Sequence, residues 1–133
     1  MTVPRRVTFR AADGGFVADE DALSCFLVGA DAAGVEHYLM LQRSPEEEDP
    51  SEDWGVHVEF DDQINSGYGL VLQCRLSREQ LSLALSGRLA RLVGVEGFDV
   101  ALALDDALYR QIQSGLPRIF RGMPDSLTIA ETR

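Results

Sequence analysis

The chain is 133 residues long, 45% hydrophobic and 26% charged; that size and balance suit one folded domain with its own core and exclude wholesale disorder. It carries 22 acidic residues against 12 basic ones, a net charge of -10, which argues against nucleic acid or bare anionic membrane as a partner. Every basic residue is arginine, so a phosphate-binding loop with its lysine, a Schiff-base enzyme and a lysine general base are excluded.

Residues 1–133 read as a single domain with its core over about 5–122, and 123–133 as a loose tail or edge strand. Met1 to Arg10 lacks the apolar stretch of a signal peptide, and no apolar run approaches the roughly 20 residues of a membrane span; the expected location is the cytoplasm. Asp13-Gly14-Gly15 is the first turn signal. Cys25 to Ala30 is apolar on both faces, the pattern of a central strand. Asp31 to Gly34 is the next turn, and Val35 to Gln42 then alternates, with Val35, His37, Leu39 and Leu41 on one face and Glu36, Tyr38, Met40 and Gln42 on the other.

The stretch Pro45 to Asp53 reads as a loop. Trp54, Val56, Val58 and Phe60 share the apolar face of the following strand, which predicts a core position for Trp54, while Gly55, His57 and Glu59 share the other face. Asn65-Ser66-Gly67 signals a turn before Tyr68, Leu70, Leu72, Cys74 and Leu76, which share one face against Gly69, Val71, Gln73 and Arg75. Strands through Leu81, Leu83, Leu85 and through Phe98, Val100, Leu102, Leu104 repeat the pattern. Ser86 caps a short helix carrying Leu89, Leu92 and Val93 and ending at Gly94. Asp105 and Asp106 open a longer helix with Leu108, Ile112, Leu116, Ile119 and Phe120 at helical spacing, in which Pro117 predicts a kink or a break after Gly115. Leu127 and Ile129 fit a short edge strand. The expected fold is α+β: a mainly antiparallel sheet of about six to seven strands, with the short helix and the longer C-terminal helix packed on it.

Residues that carry chemistry are sparse. No glycine-flanked serine marks a nucleophile turn. Cys25 and Cys74 lie in apolar strand-like segments, where free thiols behave as small core residues, and a reducing compartment disfavours a disulfide. Strand parity keeps Cys74 away from His37 and His57. Zinc would need about four ligands at recognisable spacing, and no Cys or His here forms a close pair. A calcium loop starting at Asp49 would place Trp54 where glycine is required and Phe60 where the bidentate glutamate belongs. A paired-carboxylate glycosidase would want aromatics to hold a sugar, and none cluster in sequence. No metal and no cofactor is expected.

Between Glu46 and Asp62 stand nine acids and not one arginine. Charge runs commonly serve as solvated loops; this one continues into a strand whose polar face carries His57 and Glu59. The candidate partner-binding set is therefore Glu46, Glu47, Glu48, Asp49, Glu52, Asp53, His57, Glu59, Asp61 and Asp62. A rigid acidic patch would steer a protein with a basic cleft, such as a nuclease domain.

The segment order Tyr38-Leu39-Met40-Leu41-Gln42-Arg43, then Val58-Glu59 after an acidic stretch, Tyr68-Gly69, and the closing Leu116-Pro117-Arg118-Ile119-Phe120 resembles the immunity protein 10 family of bacterial polymorphic toxin systems, over roughly residues 5 to 122. The chain departs from that pattern at Leu70, where a second glycine is expected, and at Pro117. The resemblance implies a small α+β protein that binds and neutralises a cognate toxin in the cell that makes it, without catalysis; the family has no catalytic set that maps onto these residues. Two other readings stand beside it. A small ligand-binding or scaffold domain would enclose an apolar pocket between sheet and helix, lined by Tyr38, Met40 and Tyr68. An enzyme would bring carboxylates together with His37 or His57 in a cleft. An exposed edge strand would leave homodimerisation open.

Overall fold

Two antiparallel meanders, joined through one parallel pairing, make the sheet. The computed structural model describes residues 5–47, 49–86 and 94–130. The first meander comprises β1 (Arg5–Ala18), β2 (Leu23–Ala30), β3 (Glu36–Arg43), β4 (His57–Phe60) and β5 (Asp62–Tyr68). The second comprises β6 (Val71–Leu76), β7 (Gln80–Leu85) and β8 (Val95–Leu102). A helix, α1 (Asp106–Ile119), and a last strand, β9 (Leu127–Ile129), complete the described elements. The order across the sheet is β5-β4-β3-β2-β1-β8-β7-β6-β9, with β1 parallel to β8 and β9 parallel to β6.

The connection from β5 to β6 dictates the shape. These strands stand at the first and eighth places of the nine-stranded order, yet Gly69 and Leu70 alone join them. Three Cα steps reach no more than about 11 Å, so the sheet has to roll until its β5 edge comes round to β6. Backbone bonds hold the two link residues to opposite sides: Gly69 N–H donates to the Val56 carbonyl at 3.1 Å, prolonging the β4–β5 pairing, and Ser86 N–H to the Leu70 carbonyl at 2.7 Å, prolonging the β6–β7 pairing.

The rolled sheet encloses one apolar core. Leu27, Leu39 and Leu41 meet Cys74, Leu83, Phe98 and Val100 inside it, and α1 adds Ile112, Leu116 and Ile119 to the same cluster. The helix starts where expected because the Asp105 carboxylate accepts from the Leu108 N–H at 2.9 Å. Gly115 lets it lie close on β1: a Cβ there would stand 2.2 Å from the Phe16 ring.

Several expectations need correction. Among the described residues the sheet is mixed and has nine strands instead of six or seven mainly antiparallel ones. Among the described residues there is one α-helix; the short helix expected between Ser86 and Gly94 falls largely on 87–93, outside the described residues. Asp13-Gly14-Gly15 does not turn: β1 runs through it past a bulge between Ala11 and Asp13, and Gly14 is needed because a Cβ would come within 2.6 Å of the Phe26 carbonyl oxygen. Asn65-Ser66-Gly67 lies within β5; the turn falls earlier, at Asp61, whose φ is 60°. In β6 a bulge between Val71 and Gln73 shifts the phase, so Val71 is buried and Leu72 exposed. Pro117 does not break α1, which runs on to Ile119; so near the C-terminus its missing N–H costs the helix a single bond.

Other expectations hold. Leu81, Leu83 and Leu85 are buried, as are Phe98, Val100, Leu102 and Leu104. The Asp31 turn closes through Gly34 N–H to the Asp31 carbonyl, and Leu127 to Ile129 forms the edge strand.

Candidate partner-binding surface

The acidic segment lacks arginine in sequence, but the fold supplies it from elsewhere. Arg43, at the end of β3, reaches Asp53 at 2.9 Å and donates to the Ile119 and Arg121 carbonyls at 2.9 and 2.8 Å. It thereby ties the acidic loop to the end of α1. Arg121 approaches the same carboxylate at 3.6 Å. The Arg43 hydrogen bond keeps Asp53 ionised below the usual carboxylate range. Arg118 pairs with Glu46 at 2.6 Å and lowers its pKa in the same way.

The remaining acids divide into committed and open ones. Asp49 accepts from the Ser51 N–H and hydroxyl, each at 2.9 Å, which lowers its pKa. Asp61 bonds the His37 ring and the Tyr38 N–H. Asp62 accepts from the Ile64 N–H at 3.1 Å, and like Glu47 it is exposed. Glu48 and the side chain of Glu52 lie outside the described residues. Glu46, Asp53 and Asp61 hold the structure together, while Glu47, Asp49 and Asp62 face solvent.

Glu59 differs from all of these. It lies on β4 with His57, on the face turned away from Val58 and Phe60, and is 8% exposed. Its carboxylate accepts from the Tyr38 hydroxyl at 2.6 Å, and that bond together with burial pushes the phenol up to about 12. Across the strands Glu59 stands opposite Met40 and Ser66, and His57 opposite Gln42 and Tyr68.

Beside it lies an aromatic cluster that strand parity did not predict. Trp54 is not a core residue; it is 73% exposed. Gly55, at φ +87°, turns the chain before β4 begins and cancels the parity that would bury the indole. The Trp54 and Tyr68 ring centroids are 5.9 Å apart, and those of His57 and Tyr68 4.7 Å. Tyr68 is 52% exposed, released from the β6 alternation by Gly69 at φ +70°. The sequence signals for this cluster were the two glycines, each next to an aromatic residue.

His37 does meet carboxylates, as an enzyme would require. Nδ1 is 2.6 Å from Asp61 and Nε2 2.8 Å from Asp31, and the ring stacks on Phe60 at 5.3 Å. Both nitrogens are occupied, leaving neither to exchange a proton with a substrate, so the arrangement ties two turns together. Tyr38 and Met40 alternate with the core residues Leu39 and Leu41 and so lie on the side of the sheet away from α1. They cannot line a pocket between sheet and helix. A groove of 520 Å³ does run between Phe16 and α1, but Arg110, Gln111 and Arg118 border it. Cys25 and Cys74 are buried and free. Among the described residues no group of His, Cys, Asp and Glu is arranged to hold a metal, and no helix is long and apolar enough to cross a membrane.

With that geometry in place, comparison with known families is decisive. The family model described as Immunity protein 10 matches residues 10–110. The chain belongs to the immunity protein 10 family. The match runs from the middle of β1 into the first turn of α1, so the first meander from Arg10 onward, the acidic loop and the aromatic cluster are immunity protein 10 sequence. The closing segment Leu116 to Phe120 lies beyond it. No curated protein and no solved structure matches the chain. Membership supports an immunity function, and with it the binding of a cognate toxin.

Proposed function

We propose that this chain is a cytoplasmic immunity protein that binds a cognate bacterial toxin and neutralises it without catalysis, through the acidic surface around residues 46–62. The observation that carries the reading is the family match over residues 10–110. The net charge of -10 and the solvent-facing Glu47, Asp49 and Asp62 support a basic partner surface, such as that of a nuclease domain, which such a field would steer into contact.

The test is growth of a bacterial host expressing the toxin-like reading frame adjacent to this gene, with and without this chain, followed by co-purification at low and high salt. Rescue accompanied by a salt-sensitive complex supports the reading. Absence of both rescue and complex refutes it. Joint neutralisation by Glu47→Gln, Asp49→Asn and Asp62→Asn should slow association while leaving the fold intact, because none of the three forms an ion pair among the described residues.

A further inference from the structure

The structure assigns a specific occupant to the aromatic cluster: we propose that Trp54, Tyr68 and His57, with Glu59 beside them, seat an arginine side chain of the toxin. This rests on the immunity reading and deepens it.

Three observations converge. First, Glu59 is a carboxylate with 8% exposure whose hydrogen bond comes from the neutral Tyr38 hydroxyl; among the described residues no arginine or histidine pairs with it, whereas Asp53, Asp61 and Asp99 each have such a partner. A carboxylate withdrawn from water without a cation is unfavourable, so the site is one cation short. Second, Trp54 and Tyr68 expose ring surface next to His57, and aromatic faces attract cations. Third, Ser66 and Tyr68 on β5 face Glu59 and His57 on β4, which puts the Tyr68 and His57 rings and the Glu59 side chain on the same side of the same strand pair, with Trp54 against Tyr68.

Arginine satisfies both halves of the site. Its guanidinium is planar, stacks on rings, sheds water more readily than an ammonium and can donate two parallel bonds to a carboxylate. Tryptophan and tyrosine packed at the centre of an interface are also the residues that most often dominate binding. A second copy of this chain is a poor occupant, since it carries the same charge of -10.

Trp54 is the only tryptophan in the sequence, so 5-fluorotryptophan labelling gives a single fluorine NMR signal at the site. Addition of a catalytically inactivated form of the adjacent toxin should shift that signal. Trp54→Ala should weaken the complex by about thirtyfold or more, the loss typical of a central anchor. Glu59→Gln keeps an acceptor for Tyr38 and removes the buried charge: it should weaken the complex about thirtyfold or more, the low end for a lost buried charge pair, while leaving the melting temperature of the free protein unchanged or higher. Replacing a residue with a purely structural role would lower both. Scanning the toxin's arginines should find one whose replacement is non-additive with Glu59→Gln.

A wild-type complex whose fluorine signal stays still, and which Trp54→Ala leaves at full strength, overturns the seat and leaves the immunity reading standing. Coupling of Glu59 to no toxin arginine overturns the choice of occupant. Self-association of the free chain that Trp54→Ala abolishes would assign the cluster to a second copy instead. Failure of the wild-type chain to bind the toxin at all removes the reading and the seat together.

Discussion

At His37 both ring nitrogens are committed to carboxylates, and the sign of the pH dependence follows from that. Burial by itself would lower the pKa of the imidazole, but the bonds to Asp31 and Asp61 outweigh it and raise the pKa above its ordinary 6.5. Asp31 is held below its ordinary 3.8, chiefly by its bond to His37. A raised histidine contributes its full stability below its unfolded pKa and loses it as pH rises through the folded value; a depressed aspartate contributes above its unfolded pKa and loses that as pH falls through the folded one. The tie is therefore strongest between the two ordinary values and loosens toward alkaline pH. Thermal melts from pH 5 to 9 should show the wild type losing its advantage over His37→Gln above neutrality; a constant gap between the two curves would count against an imidazolium. Arg43 makes a comparable claim. It is a largely buried cation with one carboxylate and two helix-terminal carbonyls as partners, and Arg43→Ala leaves Asp53 with the Gly55 N–H and, as its cation among the described residues, the more distant Arg121. Removing one member of such a pair costs on the order of 3 kcal/mol, readable by urea unfolding, and Arg43→Lys should recover only part of it because an ammonium cannot reproduce the fork.

At the scale of elements, α1 carries two residues that helix propensity alone disfavours, and the structure separates them. Gly115→Ala would gain up to about 1 kcal/mol in propensity but would drive a methyl into the Phe16 ring at 2.2 Å, and overpacking of that kind costs about 1–3 kcal/mol. The expected net result is a lower melting temperature. Pro117 is exposed, so Pro117→Ala restores a backbone donor with no lost core contact and should raise the melting temperature. Opposite signs at positions two residues apart check the reading of the helix, and like signs would contradict it. This helix was legible because its cap and its apolar stripe are local. So were the strands around Leu81 to Leu85 and Phe98 to Leu104, where alternation runs unbroken. Parity failed at Trp54, at Tyr68 and at Leu72, each beside a positive-φ glycine or a bulge that resets the phase without changing the residue pattern. β1 was missed for a related reason: Asp13-Gly14-Gly15 has turn composition, yet Gly14 serves the close approach of β2 and Gly15 that of the Gln111 side chain on α1. For the candidate surface, the acids could be counted in sequence, but their division into paired and open ones depended on Arg43, Arg118 and Arg121, which arrive from distant elements.

At the scale of the whole molecule, the parallel pairing of β1 with β8 and the rolling of the sheet depend on contacts about ninety residues apart, as the Arg6–Asp99 ion pair illustrates, and no local pattern encodes them. Rolling has a measurable consequence in the thiols. Cys25 lies on β2 and Cys74 on β6, four places apart in the sheet order, yet both are buried in the same cluster. Burial pushes Cys25 up to about 12; Cys74 is raised mainly by burial and further by the nearby Cys25. Neither supplies thiolate near neutrality, so an alkylating reagent should modify them only through opening of the structure. If the two meanders could part at the β1–β8 pairing, Cys25→Ala and Cys74→Ala variants, each retaining one thiol, would label at different rates with different urea dependence. The two-residue link between β5 and β6, and the insertion of Ile112, Leu116 and Ile119 into the shared core, tie the halves together. Each thiol should therefore be labelled at a rate set by its variant's global unfolding free energy, with the same steep urea dependence for both. Fast labelling of either thiol without denaturant would mean that the rolled sheet opens locally, and the seam where it opens would be identified by which cysteine reacts.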